Sequence, residues 1–265
     1  MPRLYLILLF IIYNEEISAQ VVRPGIDIFN AGAYYESFTD ALTAATQPAA
    51  LAFCRSFTAG IYGENRFLLQ GVQHFMISAV LPVANDGAGV QVCHFKTPAY
   101  SHTSAGMGYA KTLGWAILGI RFHYNNIIVP GYSPVNGLDV EAGSNCRLTD
   151  QLRLGMCVYL PAGNKWRSAY RYLMGLGYKI SDQLLMVLET GKEENKPAGV
   201  HVGIYYRPTQ RWTLQLGINT ANAQPYLCTG FQSGNWRILV TVIHSVQLGP
   251  SPGLALILPP TTGSL

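Results

Sequence analysis

Charge is scarce in this chain of 265 residues: Asp, Glu, Lys and Arg together make up 12%. That is about half of the roughly 25% usual in a soluble domain, too little to coat a surface wetted on all sides. Long apolar runs are missing as well. The longest, Leu4–Tyr13, is half of the roughly 20 residues that a bilayer-spanning helix needs, which excludes a helical membrane bundle. The cysteines Cys54, Cys93, Cys146, Cys157 and Cys228 lie far apart and form no CxxC pair. Neither a tight disulfide framework nor a cysteine zinc site is indicated, and they read as small hydrophobes. A basic stripe of the kind that grips nucleic acid is also lacking. The densest charged stretch, Lys192–Lys196, is mixed in sign, and the formal net charge is only +4. Disorder is excluded by the opposite feature, a hydrophobic content of 49%.

What the chain does have is glycine (27), tyrosine (16) and a period of two. In Trp115–Tyr124 the residues Ala116, Leu118, Ile120, Phe122 and Tyr124 share one face, and Ile117, Gly119, Arg121 and His123 the other. Val200–Arg207 and Arg211–Asn219 repeat the pattern. Strict alternation over about ten residues, broken by turn residues, marks strands rather than helices. A soluble sandwich would cover its polar face with Lys and Glu; here that face is Gly, Gln, Thr and Ser. The assignment therefore inverts, with aliphatic residues toward lipid and small polar residues toward a lumen, as in a transmembrane antiparallel β-barrel. Tyr109, Tyr124, Tyr170, Tyr178, Trp212 and Trp236 suit interfacial girdles.

About 14 strands are expected, near 53–62, 68–82, 87–96, 101–111, 115–125, 135–147, 152–160, 168–179, 183–191, 198–207, 211–220, 225–232, 236–247 and 252–258. Twelve remain if the weakest runs, 225–232 and 252–258, stay outside the ladder. Arg3 followed by the apolar run and Ala19 reads as a cleaved signal peptide over residues 1–19. Residues 20–50 do not alternate and are small and semi-apolar, so they are expected to form an N-terminal plug inside a barrel spanning residues 51–265.

At this segment the sequence resembles a family. Asp40-Ala41 followed by Gln47-Pro48-Ala49-Ala50-Leu51 is similar to the Asn-Pro-Ala-Gly-Leu region of the long-chain fatty-acid transporter superfamily, with Gln for Asn and Ala for Gly. The superfamily includes the 14-stranded barrels of type IX secretion. The resemblance implies a bacterial outer-membrane location and gives Asp40, Gln47, Pro48, Ala49 and Leu51 the place of the family's plug motif. Fatty-acid transporters have extended outer loops that form a ligand-collecting groove. The short connections here favour instead an accessory or anchoring subunit that docks to another outer-membrane or surface protein. The alternative is a channel for small hydrophobic compounds, with a lateral opening beside a strand kink and an apolar cavity under residues 30–50.

Candidate chemistry is sparse. Asp139 and Glu141 share a face with Asn145 and Arg147. Such carboxylates can do acid–base work, but in a polar lumen they are expected to pair with Arg121, Arg153, Arg171 or Arg207 on facing strands, since buried charges persist when paired. The six histidines show no HxxxH ligand spacing, and no G-x-S-x-G elbow occurs. No enzymatic activity, metal or cofactor is therefore expected. The expected partners are outer-membrane lipid, another membrane or surface protein, or a small hydrophobic ligand.

Overall fold

The computed structural model describes residues 27–162, 169–220 and 223–259; the expected signal peptide lies outside them. Four short helical turns come first, over Asp27–Tyr34, Glu36–Phe38, Ala41–Ala44 (α1) and Pro48–Phe53. Fourteen strands follow: β1 Thr58–Asn65, β2 Gln73–Val83, β3 Asp86–Lys96, β4 Ser101–Leu113, β5 Ala116–Ile128, β6 Val135–Arg147 and β7 Leu152–Ala162, then β8 Arg171–Lys179, β9 Leu184–Glu193, β10 Gly199–Tyr206, β11 Trp212–Asn219, β12 Gln224–Ser233, β13 Trp236–Ser245 and β14 Gly249–Leu258. Every strand pairs antiparallel with its sequence neighbours, and β14 closes on β1. Closure leaves no lipid-exposed strand edge, the condition for strands to cross a bilayer.

The weak runs are strands: β12 pairs with both neighbours, and β14 is the closing strand. The start of β1 differs from expectation. Expected at residue 53, β1 begins at Thr58, because Phe53 still closes the Pro48–Phe53 turn, which has Pro at its first position, where its missing N–H costs nothing. Every residue of that turn is buried, so the stretch is apolar all round rather than alternating.

Side-chain orientation follows the alternation. On β5, Leu118, Ile120 and Phe122 are 50%, 41% and 51% exposed, whereas Arg121 and His123 are 2% and 5% exposed. The aliphatic face is outside and the charge inside, the reverse of a soluble sheet. Tyr109, Tyr178, Trp212 and Trp236 are exposed near one end of the wall; Tyr124 and Tyr170 are exposed nearer the other.

The two ends of the barrel differ. At the turn end, where β1 begins and β14 finishes, β2–β3, β4–β5 and β12–β13 are joined by two-residue turns. The opposite, loop end carries connections such as 66–72 and 129–134. One stretch of wall at the loop end is incompletely laddered. β14 pairs with β13 as far as Gly249 but with β1 only to Gly253. Pro250 and Pro252 occupy alternate positions there, so their missing donors lie on one edge, the one facing β1. The adjoining chain carries two left-handed non-glycine residues, Phe67 (φ 57°) and Leu68 (φ 54°), and the Phe67 amide donates to Ser251 Oγ at 2.9 Å.

Candidate functional site

The candidate site is the lumen, in two parts. The part toward the turn end is filled by residues 27–53, whose backbone lies directly against the wall. Glycines make the room. A Cβ on Gly119 would fall on the Pro48–Ala49 peptide, one on Gly87 on the Leu51 carbonyl, and one on Gly155, Gly175 or Gly177 on the Tyr34 ring.

Polar contacts then fix the plug. Asp40 caps α1, its Oδ1 accepting from the amides of Leu42 (3.1 Å) and Thr43 (3.0 Å), while the Thr43 hydroxyl completes the capping box. Arg237 Nη1 stands 3.6 Å from Asp40 Oδ2. Gln47 Nε2 donates to the Ser144 carbonyl on β6 at 3.0 Å. Ala49 and Leu51 pack in an apolar cluster with Val80, Ala110 and Ile117 of the wall. Asp40, Gln47, Pro48, Ala49 and Leu51 are thus all buried and lie where plug meets wall. Arg121 reaches the carbonyl end of α1, donating to Ala44 and Ala45 at 2.7 Å each.

Nearer the loop end the wall carries buried acids and imidazoles paired across adjacent strands. Arg121 and His123 both reach Glu141 Oε2, at 3.1 and 3.0 Å. Asp139 accepts from Asn125 (2.6 Å) and Tyr159 (2.9 Å). Glu64 takes Arg66 at 2.5 Å and the Tyr62 hydroxyl at 2.8 Å, with His74 at 3.5 Å. Glu189 is the junction with the plug: Tyr34 Oη donates to it at 2.7 Å and Asn30 Nδ2 at 3.2 Å, and His201 Nδ1 lies 2.8 Å away.

Of the arginines expected to meet Asp139 and Glu141 from facing strands, Arg121 pairs with Glu141, whereas Arg153 and Arg207 turn to rings of the plug. Arg121, Asp139 and Glu141 are buried together on β5 and β6. Arg153 stacks on Tyr35 (4.8 Å) and Phe53 (4.9 Å), and Arg207 on Phe38 (5.1 Å). Arg171 sits opposite Glu193 in the β8–β9 ladder, and Arg147 is exposed at the turn end. The plug fills this part of the lumen, so Arg153 and Arg207 meet its rings rather than the carboxylates of β6. Sequence reading missed the pairs Glu64/His74 and Glu189/His201. Both are direct ladder partners, a relation that appears only once the register is fixed.

Above the plug a cavity of about 720 Å³ faces the loop end. Phe67, Leu69, Val72, Phe95, Tyr100 and Leu173 supply its apolar lining, Arg66, Arg171, Lys192 and Lys196 its cations, and Asn30, Glu189 and His201 join lining and plug. The expected cavity under residues 30–50 is therefore displaced toward the loop end and mixed in lining. The described residues hold no cluster of His, Cys, Asp and Glu arranged to bind a metal.

No protein-family model matches the chain, and no curated protein sequence matches it either. Solved structures do. The Pseudomonas putida toluene transporter TodX aligns with a TM-score of 0.60 at 8% identity, over 81% of this chain and 91% of that one. A Pseudomonas aeruginosa FadL homologue gives 0.59 at 12% identity, over 87% and 96%. An Acinetobacter baumannii outer membrane protein gives 0.53 at 7% identity, over 77% and 97%. At these identities the likeness establishes architecture: this chain is a closed 14-strand antiparallel barrel, the fold of outer-membrane channels.

Proposed function

We propose that the chain is an outer-membrane channel for small hydrophobic compounds, exported by a signal peptide over residues 1–19 and held closed by its own N-terminal segment. The observation that carries this reading is the cavity of about 720 Å³ that ends on the plug. A volume of that order matches sites that bury small organic ligands, which combine apolar walls with a few placed polar groups. Ligands enter from the loop end and rest against Phe95, Tyr100 and Leu173. Onward passage requires the plug to yield at Glu189 or the wall to part where β14 lacks its ladder with β1. The neighbours, the toluene transporter TodX and a FadL homologue, support the hydrophobic class over the anchoring role. The anchoring reading retains only the shortness of the connections, and a pull-down from solubilised outer membranes that recovers the barrel alone counts against it.

The test is uptake of labelled toluene and labelled long-chain fatty acid by cells whose only hydrophobe channel is this barrel. Gly191→Trp places an indole in the cavity, where a Cβ meets nothing closer than the Tyr172 carbonyl at 3.8 Å. Uptake should fall to the level of cells without the barrel while the amount of folded barrel stays constant. Uptake by the filled variant equal to that of the parent refutes the channel reading.

A further inference from the structure

The turn-end mouth carries a collar of cations, two of which, Arg147 and Arg211, are left without an ion pair among the described residues. Arg147, Arg153, Lys179, Arg207 and Arg211 stand at the turn-end termini of β6, β7, β8, β10 and β11, and Arg55 lies beside the plug. The nearby carboxylates are fewer. Glu36 pairs with Arg55 at 3.6 Å, Asp182 with Lys179 at 2.8 Å, and Asp150 sits at the tip of the β6–β7 turn. Arg147 and Arg211 make no ion pair among the described residues and are exposed. Arg147 is also the direct ladder partner of Arg153, an arrangement of like charges that costs stability.

Part of the collar meets the plug, and Arg207 also donates to the Ser37 carbonyl. Arg153 and Lys179 both cover the Tyr35 ring, at 4.8 and 6.0 Å, and Arg207 covers Phe38. Arg147 and Arg211 have no such ring contact among the described residues.

The collar does not face lipid. At three of these strand ends an aromatic and a cation are adjacent: Tyr178-Lys179, Tyr206-Arg207 and Arg211-Trp212. The aromatics are exposed on the outer wall, so alternation turns the cations toward the lumen axis and the aqueous space beneath it. The arc from β6 to β11 spans six strands, roughly 24 Å at about 4.8 Å per strand spacing. A single small anion touches one or two of these charges. An extended chain of about seven residues covers the whole arc.

We propose that this mouth is a docking surface for an acidic segment of a soluble protein on the turn-end side of the membrane. The segment lies across Arg147, Arg153, Arg207 and Arg211, beside the exposed Ser37 of the plug. This surface stands apart from the loop-end cavity and does not depend on what that cavity binds.

The test uses the full-length barrel in phosphatidylcholine nanodiscs. Fluorescence anisotropy reads the binding of a dodecapeptide of alternating Glu and Ser, with the Lys–Ser dodecapeptide as control. The acidic peptide should bind and the basic one should not, and Arg147→Gln with Arg211→Gln should weaken binding about tenfold. Lys96→Gln, at the loop end, should leave binding unchanged. Both arginines are exposed, and a heat-modifiability gel confirms that the double variant is folded. Equal binding by parent and double variant overturns the proposal. So does full displacement by inorganic phosphate at matched ionic strength, which makes the mouth a small-anion site. A requirement for phosphatidylglycerol in the disc overturns it in favour of a lipid contact.

Discussion

Along β5 the lumen-facing residues run Ile117, Gly119, Arg121, His123 and Asn125; along β6, in the same direction, they run Asn145, Gly143, Glu141 and Asp139. The first positions are apolar or glycine, or at Asn145 polar toward the Ala33 carbonyl, and receive the plug, whereas the later ones are polar and paired. The same change occurs on β8, from Gly177 and Gly175 under the Tyr34 ring to Leu173 and Arg171 in the cavity wall. One strand therefore builds two environments by side-chain size and polarity. Where the wall has no side chains, the plug's backbone fills the lumen. Where the wall has acids and imidazoles, they satisfy each other across the ladder and leave space. Closure is a property of the glycine half and ligand access of the polar half.

The contrast breaks most completely if a side chain is placed in the glycine half. Gly119→Leu sets a branched chain on the Pro48–Ala49 backbone, which cannot shift without α1 and the Leu51 cluster. We expect the plug to be displaced at a cost of about 4 kcal/mol, at the severe end for single substitutions. Planar-bilayer recordings should then show a steady conductance that the parent lacks. Cys54 gives a second readout. Burial, and next the Asp40 carboxylate, push its thiol up, so maleimide should label it slowly in the parent and quickly once the plug leaves. A parent-like conductance and labelling rate would mean that the glycines do not govern closure.

Arg121 lies at the border between the halves, and its removal should be the next largest effect. Arg121→Met keeps the volume but frees the Ala44 and Ala45 carbonyls and leaves the buried Glu141 with His123 and the Cys157 thiol. Losing one member of such a buried pair costs about 3–5 kcal/mol. We place this case near 3 because His123 remains, measured by urea unfolding of the barrel in vesicles. Tyr34→Phe is milder. It removes one hydrogen bond to a carboxylate, worth about 1.5–3 kcal/mol, while Asn30 and His201 still hold Glu189. The expected sign is brief channel openings rather than a steady conductance. If Tyr34→Phe opens the lumen as fully as Gly119→Leu, the Glu189 junction rather than the glycine packing is the lock.

Much of this architecture was legible in the sequence because alternation reports the solvent of each face directly. The 14 strands, the outward aromatics of the girdles and the inward Arg121 and His123 all follow from a period of two. The start of β1 was not legible at residue 53, because Phe53 and Cys54 continue the buried apolar end of the plug, where a buried helical turn and a buried strand read alike. The pairing of charges was not legible either. Glu64 with His74 and Glu189 with His201 depend on register, which short apolar sequences do not state. Nor could the sequence show that a plug on the axis would divide Arg153 and Arg207 from Glu141. Alternation alone leaves the lumen empty, and an empty lumen invites pairing across it.

The smallest expected effect bears on why the glycine half ends in a cationic collar. Lys179→Met removes one charge of the collar and keeps an unbranched chain able to cover the Tyr35 ring. The ammonium stands 6.0 Å from that ring, a weak contact, and its ion pair is with Asp182 in an exposed turn. Both kinds of contact at an exposed site contribute well under about 1 kcal/mol. Stability of the variant should therefore stay within about 0.5 kcal/mol of the parent, and the plug should remain closed. A loss of 2 kcal/mol or more would show that the cations themselves hold the plug. A neutral result leaves the charge with no structural task, while binding of the acidic dodecapeptide should still weaken. The two measurements on one variant therefore separate a collar that holds the plug from a collar that meets a partner.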